Sequence, residues 1–250
     1  MLFERLLPPG LAVSPHDQYT GLELADQARG ERPYVVCNFV CSVDGRATAG
    51  GRTAGLGGAG DRAVFHLLRT QVDAVMAGTG TLHVESYGVL ARDEEFARIR
   101  VVEGRAAQPW AVVVSRSGNV PFEIPLFRDP QSRILLYAPQ NSQAPRCAAR
   151  VISHETPTGP HELAAVLRSL RQDHDIRSLL CEGGPAIFTA LLLADLVDEL
   201  FLTVSPMLVG DPELGITTGP PLSTHRSMRL IWALEHEGNL FLRYATTPPG

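Results

Sequence analysis

The segment Ser178-Leu179-Leu180-Cys181 followed by Glu182-Gly183-Gly184-Pro185 constrains this chain more than any other stretch. Four residues are too few and too apolar for a surface element, so they read as an interior strand. Glu182 then stands at the strand's carboxyl end, the edge of an open α/β sheet where ligands bind. Gly183 and Gly184 permit a tight turn and a close approach of backbone. Pro185 suits the first turn of a helix, where its missing N–H costs nothing. The start of that helix offers free N–H groups and a positive dipole end to an anion. An ordinary strand-to-helix crossover accounts for these residues equally well when they are taken alone.

A second unit of the same kind sets them in context. The run VDAVMA ends in Gly78-Thr79-Gly80-Thr81, again a buried strand closed by a glycine turn. It is not the GxGxxG fingerprint of a dinucleotide-binding domain, because His83 stands where the third glycine belongs. Two glycine turns at strand ends can still cradle a phosphate with backbone N–H groups.

The remaining elements follow in order. Residues 1–32 carry Pro8-Pro9-Gly10 and read as an N-terminal arm with a short helix at 21–29, ahead of one domain over 33–250. Pro33 to Ser42 is a β-branched and aromatic strand. The glycine-rich stretch after Asp44-Gly45 hangs from its end; too glycine-rich to pack alone, it is either disordered or, as the preferred reading, a loop ordered over a ligand. A helix with Asp61 as its cap, strands at 109–115, 133–138, 150–153 and 199–205, and a helix over 162–171 come next. A Pro/Gly-rich loop spans 206–225, and a hairpin about Gly238-Asn239 closes the chain. Alternating strands and helices followed by consecutive strands predict an α/β fold. Its sheet is mixed and mostly parallel, flanked by helices, with an antiparallel C-terminal hairpin.

Composition narrows the function classes. With 22 basic and 27 acidic residues the net charge is −5, which speaks against a nucleic-acid partner. No apolar run reaches the roughly 20 residues that span a bilayer, so no membrane partner is expected and the chain reads as cytoplasmic. The four cysteines form no CxxC pair. Cys37 and Cys41 lie about 13 Å apart along a strand, too far for a disulfide. The histidines are scattered singly, and no metal site is expected.

Three segments together resemble a known family: RPYVVCNFVCSVDGRAT from Arg32, LLRTQVDAVMAGTGT, and LLCEGGPAIFTALLLADLVDELFLTVSPMLVGD. In this order and spacing they look like the riboflavin-biosynthesis pyrimidine reductase, often the C-terminal half of a bifunctional deaminase-reductase, with a dihydrofolate-reductase-like fold. The deaminase zinc signature is missing, since His83-Val84-Glu85 has no PCxxC to complete it. The resemblance therefore implies a stand-alone reductase.

The resemblance implies NADPH as cofactor and a phosphorylated ribosylaminopyrimidine as small-molecule substrate. Cofactor contacts would come from Gly78, Gly80, Thr81 and Glu85 at the first turn. The second turn would add Gly184, Pro185, Ala186, Ile187, Phe188 and Thr189, and Val40 and Gly55 match further contact positions. Arg116 and Ser117 lie where the family meets the adenosine end, and Arg116 could pair with a 2′-phosphate; a solvated loop arginine is the plainer alternative. Thr53, Arg69 and Glu182 match substrate positions. Asp44 belongs to the loop that covers the nicotinamide, and either positions that loop or acts on the reacting sugar through water. Glu182 is the first candidate for proton supply, as a strand-end carboxylate whose pKa burial could raise. The chain departs from the family after the GTGT turn: His83-Val84-Glu85-Ser86-Tyr87-Gly88 replaces two aspartates, a proline and an arginine that helps hold the substrate phosphate. That departure keeps open a dihydrofolate or pterin reductase, and a nucleotide-binding module without turnover. The family is commonly dimeric, and the apolar C-terminal strands offer a homodimer interface.

Overall fold

The computed structural model describes residues 1–140, 142, 146–157, 161–210, 212–222 and 224–247. Two positions of the loop expected over 206–225, 211 and 223, and the last three of the domain expected over 33–250 lie outside the described residues. In chain order the elements are β1 (Phe3–Leu7), β2 (Gly10–Val13), α1 (Pro15–Tyr19), β3 (Tyr34–Ser42), α2 (Ala59–Thr70), β4 (Ala74–Gly78), α3 (Thr79–Glu85) and α4 (Glu94–Val102). They continue with β5 (Trp110–Val114), α5 (Pro125–Arg128), β6 (Arg133–Ala138), β7 (Arg150–Glu155), α6 (Glu162–His174) and β8 (Ser178–Cys181). Last come α7 (Pro185–Leu193), β9 (Glu199–Ser205), β10 (Met228–His236) and β11 (Asn239–Thr246). The predicted mixed sheet and its C-terminal hairpin are both present. No helix among the described residues is long and apolar enough to cross a membrane.

The chain divides into two compact units, one of residues 1–21, 35–67 and 185–250, the other of 22–34 and 68–184. In the first, β3 and β9 run parallel, with Ser42 opposite Ser205. β9, β11, β10, β1 and β2 then follow antiparallel. Residues 1–32 are thus more than the predicted arm: β1 and β2 are sheet strands, which Pro8-Pro9-Gly10 hides in the sequence because it supplies the turn between them. Phe3 is fully buried and stacks on Phe241 at 4.4 Å, so the chain start belongs to a core. The closing hairpin turns one residue earlier than predicted, at Glu237-Gly238, where both φ values are positive (51° and 77°) as a two-residue turn requires.

The second unit is all parallel: β8 beside β4, then β5, β6 and β7. Four of its strands, β8, β4, β5 and β6, read as apolar runs because both faces are covered, while β7 at the edge is part-exposed; Val112, Ile134, Leu135, Leu136, Leu179 and Leu180 are at most 1% exposed. Parallel strands share one carboxyl edge, so Glu182 to Gly184, Gly78 to Thr81 and Ser115 to Gly118 lie along the same rim.

Helix α2 starts at Ala59, which places Asp61 inside its first turn and not at the predicted cap. Its carboxyl is pushed up by burial, against a hydrogen bond with Thr203. At the other end of α2 the buried Arg100 closes the helix, donating to the carbonyls of Arg69 (2.9 Å), Thr70 (3.3 Å) and Val72 (2.6 Å). Burial is the largest influence on that guanidinium and lowers its pKa to about 10. All four cysteines are free, in line with the spacing argument for Cys37 and Cys41.

Candidate active site

The two glycine turns meet within the second unit. A Cβ on Gly183 would lie 2.6 Å from Ala77 Cα and 2.8 Å from the Gly78 nitrogen, both backbone atoms that cannot yield. Gly183 therefore makes the predicted close approach, but to the neighbouring turn and not to a ligand. Gly184 has φ of +64°, and a Cβ there would sit 3.1 Å from Thr81 Oγ1. Gly80 differs from both. Its φ is not left-handed, and a Cβ on it would meet nothing within 4 Å. The position is exposed, and a side chain there would have room. Arg116 and Ser117 lie just past the end of β5, whose Val114 pairs with Gly78. Arg116 is 75% exposed with Glu162 at 3.8 Å, a loose surface pair that leaves the guanidinium available to an anion. Glu85 closes α3 beyond the turn.

Glu182 sits in a buried hydrogen-bonded cluster. Its carboxylate accepts from Arg69 Nε and Nη2, each at 2.7 Å, and from the Tyr87 hydroxyl at 2.8 Å. Every contact is made to a donor, so the carboxylate serves as an acceptor in this arrangement. Arg69 is 6% and Glu182 8% exposed, and Arg69 also reaches the Leu90 carbonyl at 3.4 Å. The predicted substrate arginine is thus committed to an internal pair. Burial works against its charge, but the Glu182 carboxylate outweighs that and raises its pKa. Tyr87, its ring 5.2 Å from the Arg69 guanidinium carbon, completes the triad. Burial and the adjacent carboxylate push its hydroxyl well up. Sequence reasoning missed Tyr87 because it falls in an irregular segment, read there only as a departure from the family.

The first unit holds the other predicted residues. Asp44 accepts from Ser42 Oγ (2.5 Å) and from the N–H groups of Val209 (3.1 Å) and Gly210 (2.7 Å). The Ser42 hydroxyl first, then the two N–H groups, hold its carboxyl down at about 2. These bonds suit the positioning alternative for Asp44. Thr53 and Gly55 form a 3₁₀ turn, and Val40 is half-buried on β3, opposite Thr203. In α7, Pro185, Ala186 and Ile187 reach the surface, while Phe188 and Thr189 do not. Phe188 is 2% exposed with its ring 4.7 Å from Phe39, and Thr189 Oγ1 donates to the Pro185 carbonyl and accepts from Thr218 N–H. Their side chains pack the interior.

The class of protein comes first from the fold. A pyrimidine reductase-like protein from Corynebacterium diphtheriae superposes with a TM-score of 0.76 at 22% identity, over 95% of this chain and all of that one. The Saccharomyces riboflavin biosynthesis reductase Rib7 gives 0.69 at 17% identity, over 94% and 100%. This is the dihydrofolate-reductase-like fold of the pyrimidine reductases. The family model for the RibD C-terminal domain matches residues 33–236, and the chain belongs to that family. A 2,5-diamino-6-ribosylamino-4(3H)-pyrimidinone 5′-phosphate reductase from Archaeoglobus fulgidus is 27% identical over 72% of this chain and 83% of its own length. The riboflavin biosynthesis protein RibD of Mycobacterium tuberculosis is 32% identical over 79% of this chain, which spans 46% of that protein.

Proposed function

We propose that this chain is an NADPH-dependent reductase of a ribosylaminopyrimidine phosphate. The observation that carries the reading is Gly80, a residue bare of side chain where the fold has room for one, in the first of the two glycine turns of a RibD-family chain. When bound, NADPH supplies the hydride that converts a ribosylamino to a ribitylamino side chain. The N–H groups about Gly80, Thr81 and Gly184 suit a pyrophosphate. Arg116 suits the 2′-phosphate, with Ser117 beside it. Glu182, Arg69 and Tyr87 act as positioning residues that fix the end of β8 and the turn it leads into. Asp44 holds the loop that follows β3, and Thr53 and Gly55 on that loop are the substrate- and cofactor-facing positions. The names of the relatives support the choice of substrate.

The reading extends to assembly as a homodimer. On the first unit's sheet, Leu202 and Val204 of β9, Leu240, Leu242 and Tyr244 of β11 and Leu230 of β10 share one face by register, and all are part-exposed. A contiguous apolar face of this kind favours association.

The test is NADPH oxidation by the purified protein with the ribosylaminopyrimidine phosphate and with dihydrofolate in parallel, and NADH as cofactor control. Turnover of the pyrimidine with preference for NADPH is the expected result. Turnover of dihydrofolate alone would replace the substrate, and binding of neither dinucleotide would sink the reading.

A further inference from the structure

The loops that leave β3 and β9 are tied to each other by one carboxylate from each. β3 and β9 are parallel neighbours, so both loops depart from the same edge of the first unit. Val43 N–H donates to the Met207 carbonyl at 2.9 Å, and Asp44 takes the Val209 and Gly210 N–H groups. The return tie runs the other way. Arg46 Nη1 donates to the Glu213 carbonyl (3.1 Å) and Ala47 N–H to the Leu214 carbonyl (2.6 Å). The Glu213 side chain then accepts from the Thr48 hydroxyl and, with both oxygens at 3.2 Å, from Gly51 N–H.

What Glu213 holds is a miniature hairpin. Ala49 and Arg52 pair as an antiparallel bridge around Gly50 and Gly51, whose φ values are +62° and +74°. Between Ala47 and Leu56, both buried, no residue of this stretch is buried. Burial is therefore unavailable to order the hairpin, and fixing its backbone costs conformational entropy at every residue. Hydrogen bonds to an anion are among the stronger ones. Glu213 supplies such an acceptor at the tip of the turn, immediately before the 3₁₀ turn Thr53–Gly55.

We infer that Glu213 is a positioning residue for ligand binding: by clamping the Ala49–Arg52 hairpin it fixes the Thr53–Gly55 turn in its binding-ready place. The inference rests on the reductase reading of this loop. Asp44 fixes the base of the device and Glu213 its tip, so the 3₁₀ turn is held although it lies on exposed chain. Loss of the side chain releases the hairpin while leaving the packed core intact.

Three readings of Glu213→Ala and Glu213→Gln, beside the natural protein, test this. Hydrogen–deuterium exchange at residues 47–53 should rise by about tenfold or more in Glu213→Ala, with an unchanged thermal midpoint. Glu213→Gln keeps a carbonyl acceptor and should recover part of the protection. The affinity for NADPH, read by fluorescence, or the KM for the pyrimidine should weaken by about tenfold, with a smaller change in kcat, because the hairpin must be reordered on binding. Unchanged exchange in Glu213→Ala overturns the clamp, whatever the activity. Raised exchange with unchanged affinity, KM and kcat overturns the positioning role. Natural protein that binds no NADPH is a failure of the reductase reading, visible before any variant is compared, and the exchange result then decides the clamp alone.

Discussion

At the scale of single residues, the buried triad of Arg69, Glu182 and Tyr87 separates structural from ligand-binding roles. Removing one partner of a buried pair leaves an uncompensated charge, which costs about 3–5 kcal/mol. Arg69→Met should therefore lower unfolding free energy by about that amount in chemical denaturation, whereas Tyr87→Phe removes one hydrogen bond and should cost about 1–3 kcal/mol. An Arg69→Met protein of natural stability that has lost the substrate would return Arg69 to the binding site. The glycines give a second contrast. Gly183→Ala drives a Cβ into the Ala77 and Gly78 backbone and should destabilise or displace both turns. Gly80→Ala has room, so it should unfold as the natural protein does and lose NADPH affinity by about tenfold or more, measured by fluorescence titration. Equal affinity in Gly80→Ala would mean that nothing approaches the turn there.

At the scale of elements, both strand–turn–helix units are legible because glycine and proline carry backbone instructions of their own. The sequence shows Gly183 as a point of close approach, but not what approaches: Ala77 lies 106 positions away, and local spacing holds no record of it. β1 is illegible for another reason, since its ladder partner β10 and the Phe241 that covers Phe3 lie at the far end of the chain. Glu182 was readable as a strand-end acid, and its partner Tyr87 was not, because nothing periodic marks an irregular segment. The two tied loops are equally non-local, yet they yield a pH signature. Both carboxyls sit below their ordinary values, Asp44 through the Ser42 hydroxyl first and Glu213 through the Thr48 hydroxyl first. A lowered folded-state pKa means that the tie contributes fully above the ordinary values of 3.8 and 4.5 and is lost as pH falls through the lowered ones. The Gly210 amide resonance should thus titrate near 2 and not near 3.8. A midpoint at the ordinary value would show that Asp44 does not hold the second loop in solution.

At the scale of the whole molecule, the question is what covers the sheet face of β9, β10 and β11. Register sets Leu242 opposite Leu202 on one side and Ala233 on the other, at the middle of the apolar face. A face that is apolar and part-exposed in one copy is shielded from water by a second, and a twofold pairing lets the same patch serve both. Leu242→Glu introduces a carboxylate at that centre in both copies, and burying it in an apolar face is costly. The natural protein should therefore sediment as a dimer at micromolar concentration, and Leu242→Glu as a monomer. Association with the folded state also makes stability depend on concentration, so the thermal midpoint of the natural protein should rise with dilution reversed, while that of the variant stays fixed. Since Leu242 is part-exposed, the folded monomer tolerates the new charge, and loss of the dimer without loss of fold is the expected pattern. Natural protein that sediments as a monomer across this range would leave the face to another partner and remove the homodimer from the reading.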